Sequence, residues 1–186
     1  MKIHLSRTVG FVTLWLAAVA AAIGLAVVAP SESSVMGHVP YFVSHAFQHK
    51  LSGTPGEAQP DRTLALITFK RGQGAQADSW INGLNLRNDH SIAWMRMPVL
   101  NDPGTDSRRS AIESRLQQSY PQDTEHSKVM PVFTNRSEFL RSAGLEDTSQ
   151  CYAVVVNRQG DVLARVAGEF DASKAELLRE TLTGQR

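Results

Sequence analysis

The 186-residue chain holds a single cysteine. That scarcity removes an internal disulfide framework, a Cys-x-x-Cys redox pair and every zinc site built on several cysteines. Charge of one sign is also lacking, since 19 Lys and Arg stand against 18 Asp and Glu. A formal balance of +1 speaks against nucleic acid as a partner, whose phosphates need a concentrated basic surface. What is present is an apolar fraction of 42% in a length that suits one globular domain plus an attachment, at roughly 100–200 residues per domain.

The attachment is at the start. Thr8 to Ala29 is a run of 22 residues without charge, preceded by Lys2 and Arg7. At about 1.5 Å per residue such a run crosses a ~30 Å hydrocarbon core. Basic residues before it, and none after it until Lys50, place the N-terminus in the cytoplasm and the rest on the far side. A cleaved signal peptide competes, because Gly24 with Ala26, or Val27 with Ala29, resembles a cleavage site. The run exceeds the usual h-region and Pro30 follows the second candidate bond, which favours an uncleaved anchor. The expected plan is an anchor over 1–30 that contacts membrane lipid through 8–29, a juxtamembrane segment and linker over 31–62, and a domain over 63–186. With Lys2 and Arg7 set aside, 17 basic and 18 acidic groups remain, so the slight basicity is a topology signal.

The juxtamembrane segment carries His38, His45 and His49. A short helix over Tyr41 to Leu51 puts His45 and His49 at i and i+4, the spacing at which two imidazoles share a metal, with His38 as a third candidate ligand. No carboxylate accompanies them, so solvated interfacial histidines are the plainer reading, and neither a metal nor any other cofactor is expected. Gly53, Pro55, Gly56 and Pro60 then mark a turn-rich linker.

Beyond the linker, strands and helices alternate. Thr63 to Lys70 is a continuous apolar run, as expected of a strand buried on both faces. Trp80, Ile81 and Leu84 give the next segment a helical apolar face, weakened by Gly83. Ser91 to Leu100 is strand-like, with Ile92 and Trp94 on the face opposite Ala93, Met95 and Met97. Asp106 to Tyr120 is a polar helix with a narrow stripe of Ile112, Leu116 and Tyr120, stopped by Pro121. Its Arg108, Arg109, Glu113 and Arg115 read as solvated surface, with Arg109 and Glu113 as an i, i+4 pair.

Lys128 to Phe133 is a strand that Pro131 sends to an edge or makes irregular. Ser137 to Ala143 is a short helix with Gly144 as its stop. Cys151 to Val156 is uniformly apolar and therefore central, and Asn157 to Gly160 turns it into an antiparallel strand nearer an edge. A last helix starts at Asp171 as N-cap and buries Ala175, Leu178 and Leu182. Trp80 and Trp94 fall in apolar-periodic segments and belong to the core. The fold class is α/β, a mixed sheet flanked by helices and preceded by one N-terminal transmembrane helix.

The order of elements, together with VVVNRQGDVLARVAGEF before the final helix, resembles the thioredoxin-like superfold. ALITFKRGQGAQADSW and the block from Val129 to Leu182 are similar to its cysteine-free branch, which includes the mitochondrial inner-membrane assembly factor of the ATP synthase and its bacterial relatives. The resemblance covers about two thirds of the chain. It implies a bacterial inner-membrane protein with one span and a periplasmic domain, or a secreted one if the segment is cleaved. It also implies a protein partner and a role in assembly or quality control of a membrane complex.

Redox-active members of that superfold keep a dithiol between the first strand and first helix, and a cis-proline before the strand that here starts at Cys151. Lys70 to Ala77 reads KRGQGAQA, and Thr148, Ser149 and Gln150 stand where the proline is expected. Thiol exchange and peroxidase chemistry are therefore expected to be absent, and no catalytic residue is assigned. Cys151, in a buried strand, reads as a small apolar group. Arg71, Gly72, Gln73 and Gly74 form a candidate loop for an anion or a partner's carboxylate, since N–H groups at a helix start and one guanidinium suit such a group. An exposed connection served by flexible glycines is the plainer reading of that loop. His90 and His126 have nothing at a telling distance in sequence. Metal or haem handling through the three histidines, and an enzyme with an unrecognised non-thiol site, are the alternatives to a binding domain.

Overall fold

The computed structural model describes residues 35–40, 60–120 and 127–183, within one compact unit, Ser34–Arg186. The proposed membrane span over 8–29, the helix over Tyr41 to Leu51, most of the linker, and Pro121 lie outside the described residues. No helix among the described residues is long and apolar enough to cross a membrane.

In chain order the described elements are β1 (Gly37–His38), β2 (Arg62–Thr68), a 3₁₀ turn (Arg71–Gln73), α1 (Gly74–Gly83), β3 (Trp94–Leu100) and α2 (Asp106–Gln118). They continue with β4 (Val132–Phe133), α3 (Arg136–Ala143), β5 (Tyr152–Asn157), β6 (Asp161–Ala167) and α4 (Ala172–Thr183). Six strands form one mixed sheet in the order β1-β6-β5-β2-β3-β4. β2 pairs parallel with β3 and antiparallel with β5, while β5 and β6 form the expected hairpin with a register shift after Val155.

The uniformly apolar runs lie at the centre because both faces of the sheet are covered. Ala65, Ile67 and Phe69 point to one side, with Met97, Phe139 and Val154. Leu64 and Leu66 point to the other, where α1 and α4 bring Trp80, Ile81 and Leu178. The period-2 alternation is intact, but it sorts apolar residues between two cores rather than between core and water. Phe69 meets Phe139 and Tyr152 edge to face, with ring centroids 6.2 and 6.3 Å apart. Both buried tryptophans satisfy their indole N–H, Trp80 donating to the Gly168 carbonyl and Trp94 to that of Leu86, each at 2.9 Å.

Local signals account for the ends. Asn135 accepts from the backbone N–H of Ser137 and Glu138 at the start of α3, and Gly144 ends that helix at φ +68. Asp171 accepts from the N–H of Ser173 and Lys174 before α4. The Ser173 hydroxyl, which also donates to it, and these backbone bonds hold its carboxyl below the usual carboxylate range. Asn157 accepts from the N–H of Gln159 and Asp161 across the β5–β6 turn. Pro131 interrupts the strand expected over Lys128 to Phe133, which survives as a bridge between Arg96 and Val129 and the two-residue β4 at the sheet edge.

Two features depart from expectation. Gly37–His38 joins the sheet as an edge strand on β6, with His38 Nδ1 3.0 Å from Asp161 Oδ1. A side chain on Gly37 would run into the backbone of Ala143, so glycine lets β1 lie against the end of α3. Arg109 pairs with Asp102 at 2.7 Å and Asp106 at 2.8 Å rather than with Glu113. Its fork meets both oxygens of Asp102, a bidentate geometry stronger than a single contact. Asp102 titrates lower and Arg109 higher as a result.

Candidate functional site

The stretch from Arg71 to Gly74 is not a flexible loop. It is a 3₁₀ turn that runs straight into α1, and its Gln73 is only 5% exposed. The Gln73 Oε1 accepts from the N–H of Phe69 at 2.7 Å and of Lys70 at 3.2 Å, and its Nε2 donates to the Thr148 carbonyl at 2.8 Å. One turn on, Gln76 Oε1 accepts from the Cys151 N–H at 2.8 Å. Two amide side chains thus tie the end of β2 and the start of α1 to the segment that leads into β5. That segment is itself braced: Asp147 accepts from the N–H and hydroxyl of Ser149, which lowers its pKa. No cis peptide bond occurs among the described residues.

Cys151 is fully buried, and burial pushes its thiol up to about 12. At neutral pH it carries no thiolate and has no access to solvent, so it packs as a small apolar side chain.

Arg71 and Gly72 are exposed and Gly74 half-buried, and Arg71 and Gly74 border a cleft of about 1170 Å³. Its walls are α1, through Ala75, Asp78 and Asn82, and α2, through Ile112, Arg115 and Leu116. Its floor is the end of β3, through Arg96, Pro98 and Leu100. Among the described residues six cationic side chains line it, namely Lys70, Arg71, Arg87, Arg96, Arg115 and Arg136, against the carboxylate of Asp78. Arg96 is 4% exposed, bonds Asp78 at 2.5 Å and lies over the Tyr120 ring at 4.8 Å. Arg87 donates to Asn82, and Arg136 to the Val99 carbonyl. Lys70, Arg71 and Arg115 are exposed and make no ion pair among the described residues.

Sequence reasoning treated Arg115 as solvated surface and did not single out Gln73 as a brace, nor Asp78, Arg96 and Arg136 as a group. A signal existed for Arg96, the one charge inside the otherwise apolar strand WMRMPVL. The others converge only through tertiary structure. Of the histidines considered as ligands, His38 faces Asp161, while His45 and His49 lie outside the described residues. His90 is exposed and His126 is outside the described residues. Among the described residues no cluster of three His, Cys, Asp or Glu is placed to hold a metal.

A parallel β2–α1–β3 unit, an antiparallel β5–β6 hairpin and helices on both faces fit the thioredoxin-like α/β fold. One solved structure agrees at that level. The chain is similar to a candidate electron transfer protein from Aquifex aeolicus VF5 at 12% identity, covering 82% of this chain and 100% of that one with a TM-score of 0.50. It is also similar to a candidate thiol:disulfide interchange protein DsbE from Chlorobium tepidum at 14% identity, covering 74% of this chain and 83% of that one with a TM-score of 0.42. At such identities the likeness is one of fold alone. No family model matches the chain, and no curated protein matches it either.

Proposed function

We propose that the protein is a non-catalytic, membrane-anchored thioredoxin-like domain that binds a protein partner, with a role in assembly or quality control of a membrane complex. The observation that carries this reading is the corner between β2, α1 and β5. Where redox members of the superfold hold thiols, Gln73 and Gln76 hold the backbone of Thr148 and Cys151. The buried Cys151 does not substitute for one. The domain then retains the fold's binding surface without its chemistry. The anchor over 8–29 would hold it at the bacterial inner membrane, with the domain on the periplasmic side.

Affinity capture of the intact protein from membranes tests the reading. One protein set should be recovered reproducibly and should survive Cys151→Ser, provided that variant melts as the wild type does. Recovery of no reproducible partner, or thiol-dependent reduction of insulin by the purified protein, would overturn it.

A further inference from the structure

We propose that the cleft between α1 and α2 is a docking groove for an acidic segment of a partner protein that also carries apolar side chains. The inference rests on the partner-binding reading and names the chemistry of the partner. Size comes first: about 1170 Å³ exceeds the roughly 300–1,000 Å³ of small-molecule pockets, so a stretch of polypeptide fills the space better than a metabolite. Charge is the second argument. The chain after its N-terminal flank is balanced, yet the described charged residues of the cleft are six cations and one carboxylate, and that carboxylate is engaged by Arg96. A local excess of this kind steers and selects an anionic partner.

The third argument is the apolar content. None of the described residues of α2 is fully buried, and its half-buried Ile112 and Leu116 line the cleft opposite Pro98 and Leu100 of β3. A purely ionic ligand would leave this stripe wet, whereas a segment alternating acidic and apolar side chains covers it. Arg96, buried, paired with Asp78 and stacked on Tyr120, closes the floor and leaves the recognition of acidic residues to the exposed cations. Exposed Lys70, Arg71 and Arg115 are the cations of the rim, and they supply specificity for acidic residues.

The test uses the full chain in nanodiscs of zwitterionic lipid and a synthetic peptide of about twelve residues alternating Glu with Leu, the length of a helix-in-groove or extended ligand. The peptide should bind. Arg71→Glu with Arg115→Glu should weaken binding roughly tenfold or more, whereas the control pair Arg108→Glu with Arg141→Glu, outside the cleft, should not. Ile112→Ser with Leu116→Ser, which leaves charge untouched, should weaken it as well. All variants are compared at matched thermal midpoints, and variants that melt early are replaced by Arg71→Gln with Arg115→Gln.

Equal binding of a Lys-for-Glu peptide, equal binding of a Ser-for-Leu peptide, or full displacement by inorganic phosphate would overturn the proposal. So would retention of peptide by the cleft variants. If those variants also recover from membranes the same partner as the wild type, the groove is excluded while the partner-binding reading stands. If the wild type recovers none, both fall.

Discussion

Replacing Gln73 by leucine keeps the side-chain bulk and deletes three hydrogen bonds in a site that is 5% exposed. The Phe69 N–H is buried at that bond, so losing its acceptor costs about 1–3 kcal/mol. The Lys70 N–H and the Thr148 carbonyl are only partly buried, regain water and cost about 0.5–1 kcal/mol each. Better burial of the leucine offsets part of this, leaving a net loss of about 2–4 kcal/mol. Against a typical domain stability of about 5–15 kcal/mol that is a large fraction, and for a domain of this size it lowers the melting temperature by roughly 5–15 °C.

Urea denaturation of wild type and Gln73→Leu at pH 7, with the slope checked for two-state behaviour, measures the loss directly. A second readout is local. Because the Gln73 amide holds Thr148, and Thr148 lies three residues from Cys151, the variant should label Cys151 with a thiol reagent faster than global unfolding alone allows. A loss below about 0.5 kcal/mol with unchanged labelling would refute the reasoning, because it would show that water replaces the amide without cost.

Further outcomes follow from the same interior. Burial raises the Cys151 pKa from 9.0 to about 12, so the folded state keeps a proton that the unfolded state releases. That contribution is fully present below pH 9 and falls away at up to about 1.4 kcal/mol per pH unit as pH rises towards 12, a slope that Cys151→Ala should lack in denaturation at pH 8 and pH 10. Gly144→Ala should cost about 2 kcal/mol or more in urea melts, because the residue sits at φ +68 and a Cβ there meets the Met36 carbonyl that leads into β1. Asp171→Ala removes the acceptor for two N–H groups at the start of α4 and should cost about 1 kcal/mol in the same measurement.

Much of the fold was legible because its signals are local. Leu64 to Ile67 and Ala153 to Val156 had to be central strands, since only burial on both faces permits apolar side chains at consecutive positions. Gly144, Asp171 and the Asn157–Gly160 turn are read from chemistry within a few residues of each feature. The strand at Gly37–His38 was not legible, because its partner Asp161 lies 123 residues away and two residues carry no period. Gln73 was hidden for a related reason. In a Gly-rich context a polar residue reads as loop, and only the approach of Thr148 turns it into a buried brace. The cleft escaped notice because Lys70, Arg96, Arg115 and Arg136 are scattered along four different segments with no shared spacing.

The helix α2 is held at its edges more than along its length. Arg109 fastens its first turns to Asp102 in the preceding loop, Arg96 stacks on Tyr120 just past its end, and between them none of its described side chains is fully buried. Such a helix is its own cooperative unit, able to open while the sheet stays intact. Its amide protons should therefore exchange at a free energy well below that of β2 and β5, whose exchange awaits global unfolding. Exchange of that kind would make the width of the groove an equilibrium, set by how often one wall leaves its place.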